Sequence, residues 1–133
     1  MTRREVPMAV IKTVMRWLLA GLFVAAGVMH FARPQFYVSI MPPYLPWHSP
    51  LVYVSGVCEV LLGVLLLVPR LQRAAAWGLI VLLVAVFPAN LHMAMNPDLF
   101  PNIPPFALWS RLPLQGVFIA WAYWFTKRGE RPA

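Results

Sequence analysis

Four stretches of the chain stay apolar for close to twenty residues, and what separates them is basic, polar or proline-rich. They run from Thr13 to Phe31, Leu51 to Val68, Ala74 to Met95 and Phe106 to Phe125. The second contains one charge, Glu59, the third none, and the fourth has Arg111 near its start. A bilayer core of about 30 Å takes about 20 apolar residues as a helix. In hydrocarbon the backbone groups of each segment must pair within it, which selects helix; no alternating pattern of barrel strands is present. Short links between antiparallel neighbours predict an all-α, integral membrane, up-down four-helix bundle, with residues 1–133 as a single domain.

Small residues mark the expected packing faces, since they let helix backbones approach closely in lipid. In the first stretch Ala20 and Gly27 share a side with Phe23 and His30. In the second, Gly56 and Gly63 flank Glu59. In the third, Ala74, Gly78, Ala85 and Ala89 recur at helical spacing.

The links are unequal. The middle one is only Pro69 to Arg73. The others, residues 33–50 and 96–113, hold ten of the fourteen prolines and much aromatic surface: Phe36, Tyr37, Tyr44, Trp47, Phe100, Phe106 and Trp109. Proline fixes φ and removes a donor, so neither link can be regular sheet. Tyr and Trp favour the headgroup level. Both links are expected at the outer interface, as anchors and as a cap folded over the mouth of the bundle.

Composition and charge sharpen this picture. Hydrophobic residues make up 61% and charged residues 11%, too few charges to cover a soluble fold and too much apolar content for disorder. The net charge of +7 is mostly a topology signal. Arg3, Arg4, Lys12, Arg16, Arg70, Arg73, Lys127, Arg128 and Arg131 fall on one side of the spans, and only Arg33 and Arg111 on the other. The positive-inside rule then puts both termini in the cytoplasm. Basic residues that flank spans and form no domain of their own argue against nucleic acid. The partners expected are the bilayer, a membrane or redox protein, or a second copy of the chain. The first stretch has the outline of a signal peptide, with small residues at Ala25, Ala26 and Gly27, but it is expected to be retained as a span.

Glu59 is the residue that carries most chemistry. Nine residues into its span, it lies about 13 Å deep, near the midplane. An ionisable group there is costly and faces the bundle interior. Burial disfavours the charged carboxyl, and a neutral carboxyl donates and needs an acceptor. Pro88 leaves the Val84 carbonyl without its helical donor and so offers one. By depth, the polar residues form a ladder: His30 and His92 outermost, then Asn90, then Glu59, with Gln115 joining from the fourth span. Such a ladder suits proton passage, or a quinone head whose carbonyls need donors in an apolar slot, or simple interhelical bonding. Two His and one Glu at staggered depths fit no common metal geometry, so no metal is expected. The lone Cys58 and Met29, Met93 and Met95 read as packing residues. No phosphate loop, CxxC or nucleophile–base motif is present, so no catalytic residue is expected.

Three stretches resemble the DoxX family of small bacterial membrane proteins. They are Gly27-Val28-Met29-His30-Phe31 with Pro34 and Met41 to Pro46; Ser55-Gly56-Val57-Cys58-Glu59 with Gly63; and Phe87 to Ala94, which reads FPANLHMA. The resemblance implies a four-helix protein of the bacterial plasma membrane. His30, Glu59 and Asn90 match the family's recurrent polar positions. Together with the buried carboxyl and its apolar walls, the resemblance leads to the expectation of a non-catalytic subunit beside a redox or quinone-linked partner. The alternatives are an assembly or stress-response protein with no small ligand, and a proton or solute carrier. The last is weakened by the absence of an inverted repeat.

Overall fold

Five α-helices and one short 3₁₀ turn make up the computed structural model, which describes residues 6–127. They are α1 (Met8–Ala32), α2 (Pro34–Ile40), α3 (His48–Leu66), α4 (Gln72–Met95), the 3₁₀ turn Pro97–Leu99, and α5 (Pro105–Trp124). No strand occurs among the described residues. Arg3, Arg4, Arg128 and Arg131, four of the basic residues used to orient the chain, lie outside them.

Three helices, α1, α3 and α4, are long and apolar enough to cross a membrane, which makes the chain a membrane protein. The helix α5, with 20 residues, is not among them. Arg111, Gln115 and Pro113 dilute its apolar run. The outward faces of the three long helices are apolar and exposed, as at Trp17, Leu18, Val54, Leu61, Val81 and Val84.

The 33–50 segment is more ordered than a proline-rich loop. The chain breaks after α1 at Arg33 and restarts as α2 with Pro34 in the first turn, where a missing N–H costs nothing. Trp47 then turns the chain into α3 with a left-handed backbone (φ 54°), the one non-glycine residue with positive φ among those described. Ile40 of α2 packs with Met93, Phe100 and Leu108, tying both long links over one end of the helices.

At the other end the charges converge. Arg16 donates to the Gln72 side chain at 2.8 Å, and Arg73 to the Thr126 carbonyl at 2.9 Å. Lys12 lies 5.9 Å from the ring centres of both Trp124 and Phe125. Between the ends runs the main core, built on Leu19, Phe23, Leu66, Leu79, Leu83 and Phe125.

The tightest contact in the fold is α1 against α3. A Cβ on Gly27 would lie 2.7 Å from the Gly56 carbonyl oxygen, and one on Gly56 would lie 2.8 Å from the His30 Cβ. Next along, Gly63 faces the Ala20 carbonyl. The pairs Gly27–Gly56 and Ala20–Gly63 run in opposite directions along the two helices, so α1 and α3 are antiparallel. The α4 stripe differs from the expected one. Ala74 and Ala85 are exposed, while Ala75, Ala76, Leu79 and Leu83 are buried. Gly78 does face α3, against Leu62. Spacing alone places the stripe on one side of the helix but does not fix which neighbour that side meets.

Overpacking a tight contact costs about 1–3 kcal/mol. Gly27→Val is therefore expected to lower stability by about that amount, read as a lower midpoint of thermal unfolding in detergent. Gly21→Ala, where an added Cβ meets nothing within 4 Å, is expected to hold or slightly raise it.

Candidate functional site

The close approach of α1 and α3 brings His30 onto Glu59. A helical side chain leans toward the N-terminus of its own helix and covers the preceding turn. His30 does this: its Nδ1 sits 2.9 Å from the Ala26 carbonyl oxygen and 3.2 Å from Glu59 Oε2. A carbonyl only accepts, so Nδ1 carries the proton and directs it at Ala26. The Glu59 contact is close but off that direction. Glu59 Oε2 is therefore buried without an aligned hydrogen-bond partner. Both side chains are secluded, at 9% and 12% exposure. A buried polar atom left unpaired costs about 1–3 kcal/mol.

Tyr37 closes the site from above. Its ring stacks on the His30 imidazole, 3.9 Å between centres and 17° between planes. The helix α2 exists to deliver it: Pro34 starts the helix, Ile40 anchors it, and Tyr37 lies between them. Burial raises the Tyr37 phenol above its ordinary value of 10.0; the Glu59 carboxyl raises it further and the Arg111 guanidinium opposes both.

On the far side α4 and α5 meet through amides. Asn90 Nδ2 donates to Gln115 Oε1 at 2.9 Å, and Gln115 Nε2 donates to the Leu83 carbonyl. Pro88 interrupts the α4 ladder one turn beyond. Gln115 takes the Leu83 carbonyl, the neighbour of the Val84 carbonyl that Pro88 leaves without its helical donor. The expected pairing of Glu59 with the Val84 carbonyl does not form; the Val84 side chain faces outward, 58% exposed.

These groups line two cavities of about 310 and 320 Å³ that share Glu59, Asn90 and Arg111. The outer lobe lies under α2 and the following link, walled by His30, Tyr37, Met41, Pro42, Ser55 and Ala85 among others. The lateral lobe lies between α1, α4 and α5, walled by Leu22, Phe23, Leu83, Leu114, Gln115 and Phe118. Both are apolar chambers with a few converging polar groups, the usual form of a small-ligand site.

Of the five residues expected in a pocket, four come together: His30, Glu59, Asn90 and Gln115. His92 stands apart and lines neither lobe. Two residues on from Asn90, it points about 200° away around the helix. Asn96 donates to its carbonyl at 2.9 Å, and its ring lies edge-on to Phe100. The ladder order also changes: His30 is level with Glu59 and not a rung above it. Two further residues belong to the site, Tyr37 and Arg111. Nothing local in the sequence separates Tyr37 from its aromatic neighbours in the 33–50 link. Arg111 counts toward topology, yet a lone charge in an apolar stretch is the same signal that singles out Glu59. Among the described residues no three His, Cys, Asp or Glu groups converge.

The linkage on Tyr37 has a definite sign. Its folded value lies above the unfolded one, so the stability it contributes is whole below about pH 10 and is lost as pH rises through the folded value. In an ultraviolet titration of phenolate, the component removed by Tyr37→Phe is expected to titrate above the other tyrosines. Glu59→Gln is expected to move it down, and Arg111→Gln up.

No curated protein and no solved structure matches the chain. The likeness to DoxX rests on the three quoted stretches alone. One family model does match, that of the Domain of unknown function (DUF8561), over residues 19–126. That span contains every residue of both lobes, and the chain belongs to this family.

Proposed function

We propose that the chain is a four-span bundle of the bacterial plasma membrane, both termini cytoplasmic, and a non-catalytic subunit beside a redox or quinone-linked partner. Its outer lobe holds the polar head of a small ligand. The observation that carries this reading is Glu59 Oε2, buried at the meeting of the two lobes and without an aligned partner. A carbonyl-bearing head would accept a hydrogen bond from this carboxyl in its protonated form. The residues present suit a quinone head: the Tyr37 hydroxyl, the Arg111 guanidinium and a neutral Glu59 carboxyl are donors set in apolar walls. The DoxX resemblance supports the same class. The orientation is supported by Lys12, Arg16 and Arg73 gathering at one end, opposite Arg111.

A second reading, a membrane assembly or stress-response protein without a ligand, draws on Asn90 and Gln115. Their amides bond to each other and to Leu83, as interhelical glue would. Such bonds in membranes average about 0.6 kcal/mol.

Two measurements separate these readings. In reconstituted vesicles, a ubiquinone or menaquinone analogue is expected to bind saturably. Glu59→Gln is expected to weaken it at least about tenfold, or about 1.4 kcal/mol, and Ser55→Trp, which fills the outer lobe, to abolish it. Absence of binding, or binding unchanged in Glu59→Gln, discards the quinone reading. Retained partner capture with lost thermal stability in Glu59→Gln favours the second. Separately, reporter tags at both ends are expected to score cytoplasmic in intact cells.

A further inference from the structure

Arg111 is a permanent cation that meets no counter-ion among the described residues. The chain has only four acidic residues, of which Glu59 and Asp98 fall among those described. Neither lies within salt-bridge distance of Arg111; the one acid–base contact among the described residues is His30 with Glu59. The guanidinium instead rests 5.9 Å from the centre of the Phe36 ring and donates weakly to Met93 Sδ at 3.8 Å. Neither partner carries charge. A half-buried guanidinium with only neutral partners at hand favours an anion beside it.

The lateral lobe leads away from it. Along α5, Arg111 stands at one end of the wall and Phe118 at the other, seven residues or about 10 Å apart. Between them the walls are Leu22, Phe23, Leu83 and Leu114. The rim is apolar and open: Leu22 is 42% and Leu114 52% exposed. Here α1 packs chiefly on α3, while α5 packs on α4. The gap between α1 and α5 therefore faces the lipid side of the protein and not its polar end.

We infer that the lateral lobe binds a single-chain amphiphile with a compact anionic head, its head on Arg111 and its tail along the α1–α5 gap, entering from the lipid phase. This goes beyond the outer-lobe reading and does not require it. The planar guanidinium matches a carboxylate or a phosphate through two parallel hydrogen bonds. Asn90 donates to Gln115 and Gln115 to the Leu83 carbonyl, and Glu59 offers an anion no positive charge, which leaves Arg111 as the group that reads the head. A volume of about 310 Å³ is at the small end of ligand sites and suits one chain.

The test is equilibrium binding of laurate, dodecyl phosphate and dodecanol to the full chain in discs of zwitterionic lipid. One of the two anions is expected to bind saturably and at least tenfold more tightly than dodecanol, and whichever binds identifies the head. Arg111→Gln is expected to erase that difference. Leu114→Trp, at an exposed position that leaves the core intact, blocks the rim and is expected to weaken the anion at least tenfold while sparing any quinone analogue. Ser55→Trp, in the other lobe, is expected to leave the anion untouched. The inference is overturned if neither anion outdoes dodecanol, or if Leu114→Trp leaves anion binding unchanged.

Discussion

The site rests on how near two backbones come. Lipid gives helices no hydrophobic reason to associate, so α1 and α3 are held by close packing and polar contact. Gly27 and Gly56 permit that packing, since a Cβ on either would intrude on the other helix. At this separation the His30 side chain, leaning one turn back to Ala26, arrives beside Glu59. Widen the gap by a methyl group on each side and the imidazole and carboxyl part. Packing and chemistry share the same few residues here, which is why small side chains flank the carboxyl in sequence.

Much of the fold was open to reading because the bilayer leaves few choices. Apolar runs of the right length had to be helices, and the four long helices fall on them. The small-residue face of α1 and α3 followed from spacing, with Ala20, Gly27, Gly56 and Gly63 all buried. What escaped depended on neighbours. Ala74 and Ala85 share a helical stripe, but only tertiary packing decides which α4 stripe turns inward. The helix α2 was hidden because prolines suggested an irregular link, whereas Pro34 sits in the first turn, where proline fits.

The site was legible by type and not by geometry. Depth counted along the backbone sorted His30, Asn90 and Glu59 onto separate rungs. Side chains do not stay at the depth of their Cα atoms, and His30 reaches a full turn inward. Depth also grouped His92 with His30, although Asn90 and His92 cannot both face the same neighbour. Tyr37 enters through a tertiary contact across the break at Arg33, which no periodicity encodes.

The polar groups of the chamber then divide into those that are spent and those that are not. Asn90, Gln115 and the Leu83 carbonyl satisfy one another and fasten α4 to α5. His30 gives its Nδ1 proton to its own helix. Among the described residues Glu59 Oε2 and the Arg111 guanidinium are left, one without an aligned partner and the other without an anion, and both line each lobe. If these two were meant only to hold helices together, the economical arrangement would pair them with each other. Their separation places an acceptor or neutral donor and a fixed cation on a common wall between two apolar spaces. On the ligand reading proposed above, that arrangement suits a polar head approached from either side.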